Sequence, residues 1–255
     1  MNDDEQLLNV ISEIDLMKLY KKKNVVGVGT GLKFKNGIET KQKAILVFVS
    51  KKESKNKLKY GDIIPQNING IPVDVYGGVG NFKIQKSHKA MPIMIRSQAL
   101  NNLKERPIYG GSSISHLYVT AGTLGGFFKD NDNDIVLLSN QHVIAGETMK
   151  GVHGLAPSKG NFIIQPGVFD GGNLNDVFAS LKSWVPLKNN GNLEDSAIAK
   201  ITDTKMIVNE IKGLGKIVGF AKAAIGMKVQ KVGRSTGHTK GKVISVNTSV
   251  CVDYG

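Results

Sequence analysis

The chain has 255 residues, 40% apolar and 22% charged, enough to bury one large or two small cores and too apolar for a disordered or low-complexity protein. Its formal charge of +13 rests on 34 basic residues, mostly lysine with Arg96, Arg106 and Arg234, and lysine spread without interleaved aromatic rings reads as a solvated surface, which argues against nucleic acid as the partner. The lone Cys251 excludes an internal disulfide framework, MNDDEQLLNV contains no signal-peptide core, and the longest apolar run, Ala44 to Val49, cannot span a bilayer; these point to a cytoplasmic protein without a membrane partner.

Residues 4–22 carry Leu7, Val10, Ile11, Ile14, Met17 and Tyr20 at helical spacing, with acids at the start and Lys21 to Lys23 at the end, so an amphipathic helix is expected there. Two strand-like runs follow, 24–35 and 41–51, joined around Asn36-Gly37, a favoured hairpin pair. Within the first, Gly27-x-Gly29-x-Gly31 looks like a phosphate-binding loop, but the residues after it alternate as a strand instead of opening a helix. The glycines therefore mark a bulge or a close backbone approach. A further strand over 73–77 completes a small α/β domain, residues 1–82, followed by a polar connector over 83–108.

From Tyr109 onward the pattern changes to short strands with frequent turns, the texture of a barrel or sandwich. Runs at 117–128 and 135–139 flank a polar turn in which Asp130, Asp132 and Asp134 imitate half of a calcium loop. Ile135 stands where that loop needs glycine and Gln141 where it needs glutamate, so calcium is rejected. The five histidines, His88, His116, His142, His153 and His238, show no metal-ligand spacing, and neither a metal nor another cofactor is expected.

The strongest pattern is Leu137-Leu-Ser-Asn-Gln-His-Val-Ile-Ala145, which sets His142 directly after an apolar strand. Other stretches accompany it in order: Arg106-Pro107, Gly110-Gly-Ser-Ser-Ile-Ser-His116, Ile164-Gln-Pro-Gly-Val-Phe-Asp-Gly-Gly172, Asn192-Leu-Glu-Asp-Ser-Ala-Ile-Ala199 and Gly233-Arg-Ser-Thr-Gly-His-Thr-Lys-Gly241. From about Asn24 to Gly255 the chain resembles the trypsin/chymotrypsin-like serine peptidases, and within them a bacterial branch with a small leading domain. The resemblance implies a mostly β chain: a chymotrypsin-like double β-barrel over 109–255 after the small α/β domain. It also implies His142 as general base and Asp195 as the carboxylate that orients it, in the order His, Asp, Ser. Glu194 competes for the second role, while Asp170 and Asp176 read as turn formers beside glycines.

The G-D-S-G stretch that holds the nucleophile in that family does not occur in these 255 residues. With it are missing the oxyanion-hole donors, so the chain is expected to be inactive by itself and its second barrel to be incomplete. Gly233-Arg-Ser-Thr-Gly237 fits a nucleophile elbow, but too little chain follows Ser235 for that fold, and Cys251 alternates as a strand residue. Completed, the protein would act on peptide or protein substrates. The rival readings are a non-catalytic interaction module on a peptidase scaffold and a basic nucleic-acid-binding protein. An incomplete barrel further leaves the strand near 243–252 without a neighbour, open to a partner segment.

Overall fold

The computed structural model describes residues 16–83, 103–146 and 157–253. In chain order these form α1 (Leu16–Tyr20), β1 (Val25–Lys35), β2 (Ile38–Val49), β3 (Asn67–Ile68), β4 (Ile71–Gly77), β5 (Phe82–Lys83), β6 (Ile108–Gly110), β7 (Ser113–His116) and β8 (Gly122–Thr123). Then come β9 (Gly126–Lys129), β10 (Ile135–Ser139), α2 (Gln141–Ile144), β11 (Phe162–Ile164), β12 (Val177–Trp184), β13 (Ala197–Ile201) and β14 (Ile207–Ile211). The last are β15 (Lys228–Gly233), β16 (Gly237–Lys242), β17 (Ser245–Val250) and β18 (Val252–Asp253). The protein is mostly β, with a curled half-barrel sheet. Among the described residues no helix is long and apolar enough to cross a membrane. Most of the expected helix 4–22 and of the connector 83–108 lies outside the described residues, as do His88 and His153.

Two compact units result. The first holds the described residues up to 83 together with Ala221–Val229 and Gly241–Asp253. Its sheet has the order β17-β1-β2-β4-β3. The β1–β2 hairpin turns at Asn36 and Gly37, with φ of 52° and 79°, the left-handed pair that the sequence Asn-Gly supplies cheaply. The run Ala44 to Val49 is wholly apolar because both faces of β2 are covered. Ile45, Val47 and Val49 pack with Leu19 and Val73, whereas Ala44, Leu46 and Phe48 pack with Val26, Tyr76, Phe82 and Ile244.

Strand β17 corrects the sequence reading. It does not lack a neighbour: it pairs antiparallel with β1, Gly27 opposite Val250 and Gly31 opposite Ser245. The domain boundary therefore differs from the expected 109–255, since most of the tail belongs to the first unit. The glycine triplet is the reason. A Cβ on Gly29 would sit 2.3 Å from Thr248 Oγ1, and one on Gly31 would sit 2.4 Å from the Ile244 carbonyl oxygen. Only bare backbone lets the segment approach so closely. Hydrogen bonds from Thr30 Oγ1 to the Val246 carbonyl (3.0 Å), Ser245 Oγ to the Thr30 carbonyl (2.9 Å) and Tyr20 Oη to the Ser249 carbonyl (2.6 Å) fix the register.

The second unit contains the described residues from 103 to Phe220 and Gln230–Lys240. Its seven strands run β8-β7-β11-β12-β13-β10-β9 and curl around a core of Ile108, Ile114, Phe127, Leu137, Ile144, Ile163, Phe178 and Leu181. The run over 117–128 supplies two short strands, β8 and β9, separated by Leu124-Gly125. The Gly125 amide there donates to the Leu138 carbonyl at 2.9 Å.

Candidate catalytic dyad

His142 is placed by the end of β10. Asn140 has extended φ/ψ of −67° and 145°, and its carbonyl accepts from the amides of Val143 and Ile144, which starts the one-turn helix α2. Val143, Ile144 and Ala145 are buried, so that turn is clamped to the core. Ser139 Oγ adds a bond to the Thr123 carbonyl at 2.8 Å.

Asp195 arrives by register. Antiparallel pairing of β10 with β13 sets Ser139 opposite Ala197. Continued two residues outward, it brings the residue at 195 beside the start of α2. Asn140 Nδ2 secures it by donating to the Asp195 carbonyl at 3.0 Å. The carboxylate then meets His142 twice: Nδ1 lies 2.5 Å from Oδ2, and the His142 amide donates to Oδ1 at 3.2 Å. Side-chain exposure of 22% and 17% keeps the pair reachable from solvent yet partly desolvated. A neutral imidazole that donates its Nδ1–H to a carboxylate carries its lone pair on Nε2, the tautomer general-base chemistry requires.

The structure thus brings His142 and Asp195 together, and it separates the competitors. The exposed Glu194 accepts from Ser196 Oγ at 2.8 Å. Asp176 caps the turn at 174–176 and pairs with Lys104. Asp170 is more than a turn former. Its carboxylate takes Arg234 Nε at 2.5 Å, Arg234 Nη2 at 2.7 Å and Ser113 Oγ at 2.5 Å, with the ion-paired side chains 10% and 6% exposed. Arg234 also lies 5.1 Å from the Phe169 ring centre. The sequence held one signal of this pair: a rare arginine in a lysine-rich chain, within a glycine-bounded turn.

That ion pair leads back to the dyad. The Arg234 amide donates to Thr123 Oγ1 at 3.0 Å, and the Thr123 carbonyl is the one that receives Ser139 Oγ. Ser235 is exposed and its Oγ accepts from Arg234 Nη1 at 3.1 Å. Ser112 and Ser113 are buried in structural hydrogen bonds, the first to Glu105 and the Tyr109 carbonyl, the second to Asp170. Cys251 belongs to the first unit, where its amide donates to the Val26 carbonyl, and partial burial pushes its thiol pKa up, away from the nucleophilic thiolate.

Asp130, Asp132 and Asp134 converge, as a calcium loop would, but upon Lys182. Its ammonium lies 2.5, 2.8 and 2.9 Å from the three carboxylates, and Lys200 reaches Asp134 at 2.7 Å. The three hydrogen-bonded carboxylates push the Lys182 pKa up, and the lysines hold Asp130 and Asp134 below the usual carboxylate range.

No family model matches the sequence. A curated relative, Protein NARROW LEAF 1 of Oryza sativa subsp. japonica, is 28% identical over 250 residues, an alignment that takes in 86% of this chain and 41% of the relative. The chain spans about two fifths of the length of the curated relative it matches, and that relative's name states no chemistry.

Proposed function

We propose that this chain supplies the His–Asp part of a trypsin-like serine endopeptidase site and does not cleave peptides by itself. The carrying observation is the double engagement of His142 by Asp195, through Nδ1 and through the backbone amide. In the proposed chemistry a serine hydroxyl attacks a peptide carbonyl while His142 Nε2 takes its proton. Asp195 stabilises the resulting imidazolium, and His142 then returns the proton to the leaving amine. The seven-stranded half-barrel of the second unit would be the first barrel of a chymotrypsin-like pair, with β15 and β16 opening the second. The nucleophile and its oxyanion-hole donors would come from a G-D-S-G segment, which these 255 residues do not contain.

The test compares two proteins with a fluorophosphonate probe and a mixed peptide library. Residues 1–255 should neither label nor cleave. A chain extended by a G-D-S-G segment should do both, and His142→Ala should lower its rate by about a thousandfold or more. Stoichiometric labelling of Ser235 in the 255-residue chain, or an extended chain indifferent to His142→Ala, overturns the reading.

A further inference from the structure

The lysines of the first unit are concentrated. Two stretches hold eight of them: Lys21, Lys22 and Lys23 before β1, and Lys51, Lys52, Lys55, Lys57 and Lys59 after β2. The fold joins these stretches into one rim. The Ser50 amide donates to the Asn24 carbonyl at 2.8 Å, Asn24 Nδ2 donates to the Lys51 carbonyl at 3.2 Å and to Glu53 at 3.1 Å, and the Lys23 amide donates to Asp62 at 3.0 Å. Lys22 Nζ closes the assembly by donating to the carbonyls of Gly61 (2.7 Å) and Ile63 (3.0 Å). The rim holds eight lysines against two carboxylates, Glu53 and Asp62, and three of the ammonium groups are engaged within the protein: Lys22 with the Gly61 and Ile63 carbonyls, Lys23 with Glu53, and Lys52 with the Val75 carbonyl at 3.0 Å. Glu53 is paired with Lys23 at 3.1 Å, which with Asn24 holds its carboxyl below the usual range.

Tyr60 stands in this rim, 93% exposed, at the head of the 3-10 turn Tyr60–Asp62 that Lys22 anchors through Gly61. A ring held clear of the surface amid lysines is the arrangement that the sequence alone did not disclose. From it we infer that the rim binds single-stranded nucleic acid, the lysines meeting the phosphates and Tyr60 stacking on a base. Ammonium groups on flexible stems suit a polymer with evenly repeated charge and demand no fixed geometry, so binding should be indifferent to sequence. A bilayer surface is the poorer fit. Interfacial anchoring needs several apolar side chains beside the charges, and over residues 50–64 Tyr60 is the one large apolar side chain that stands exposed.

The inference is independent of the peptidase reading and is tested on the full chain by anisotropy of a labelled dT20 oligonucleotide at several salt concentrations. Engagement of about four phosphates gives a log–log salt slope of about −3, hence roughly a fiftyfold loss from 50 to 200 mM salt. Replacing Lys51, Lys55, Lys57 and Lys59 by glutamine, all exposed, should weaken binding at least about tenfold and flatten that slope. Tyr60→Ala should weaken binding about fivefold or more at an unchanged slope. The same number of charges is removed elsewhere by Lys159, Lys188, Lys205 and Lys216→Gln, exposed in the second unit, and these should matter little. Absence of oligonucleotide binding, equal losses from the two lysine sets, or tighter binding to phosphatidylserine vesicles than to dT20 overturns the inference.

Discussion

Asp195 is distinguished from Glu194 by position on the backbone, not by acidity. One residue's shift moves a side chain to the other face of an extended segment, and Asp195 is the one turned to His142 while Glu194 lies exposed. Asp170 and Arg234 show the same dependence on context. Their bidentate pair is buried with Ser113 Oγ as a third partner, so removing one charge strands the other. Arg234→Met should destabilise the second unit by about 3–5 kcal/mol, measured by urea denaturation. Asp170→Leu combined with Arg234→Met should recover most of that loss, because two apolar groups leave no buried charge uncompensated. A double variant as unstable as the sum of the singles would mean that the pair does not act as a unit.

At the scale of the element, the central object is β17 on the edge of β1. Edge strands carry unpaired backbone groups, and β1 escapes that position because β17, more than two hundred residues away in sequence, pairs with it and becomes the outer strand of the sheet. The glycines at 29 and 31 are the condition for that cover, since side chains there would meet Thr248, Ser245 and the Ile244 carbonyl. Gly29→Val keeps β-propensity but fills the approach. Hydrogen exchange should therefore show lost protection over Ser245–Val250 in the variant, while Ile45–Val49 in the middle of the sheet stays protected. Protection of 245–250 equal to that of the unchanged chain would mean that the glycines are not what admits β17.

For the whole molecule the sign of the pH dependence follows from groups in both units. Burial lowers the pKa of His116, a histidine 4% exposed whose Nδ1 accepts the Tyr118 amide at 3.2 Å, so folding favours its neutral form. Its contribution is present above the unfolded value of about 6.5 and is lost as the pH falls below it, because the unfolded chain then binds the extra proton. The lowered carboxyls act in the same direction further into acid: Asp130 through Lys182, Asp134 through Lys200 and Lys182, and Glu53 through Lys23 and Asn24. Their stabilisation is present above the ordinary carboxylate range and fades as the pH falls through it. The melting temperature should therefore decline below about pH 6.5 and more steeply below about pH 4. His116→Asn, which keeps an acceptor for the Tyr118 amide, should remove the first decline and leave the second. An unchanged first decline in that variant would assign it to another group.

Much of this protein was written locally. The Asn36-Gly37 hairpin and the strand Ile135–Ser139 with His142 in the turn after it depend on neighbours in sequence, on left-handed φ and strand periodicity, while the missing Cβ atoms of the glycine triplet mark a close approach without naming the segment that makes it. The choice of His142 and Asp195 came from motifs, and the register of β10 against β13 supplied their contact. What the tertiary structure alone decided were the partners of long-range groups. Asp170 found Arg234, the three aspartates at 130–134 found Lys182, β17 left the expected second barrel for β1, and two lysine stretches joined around Tyr60. Each joins segments tens to hundreds of residues apart. A turn-forming aspartate or a solvated lysine looks the same in sequence whether or not the fold delivers an opposite charge or a bare backbone edge, and only the closed chain fixes which it meets.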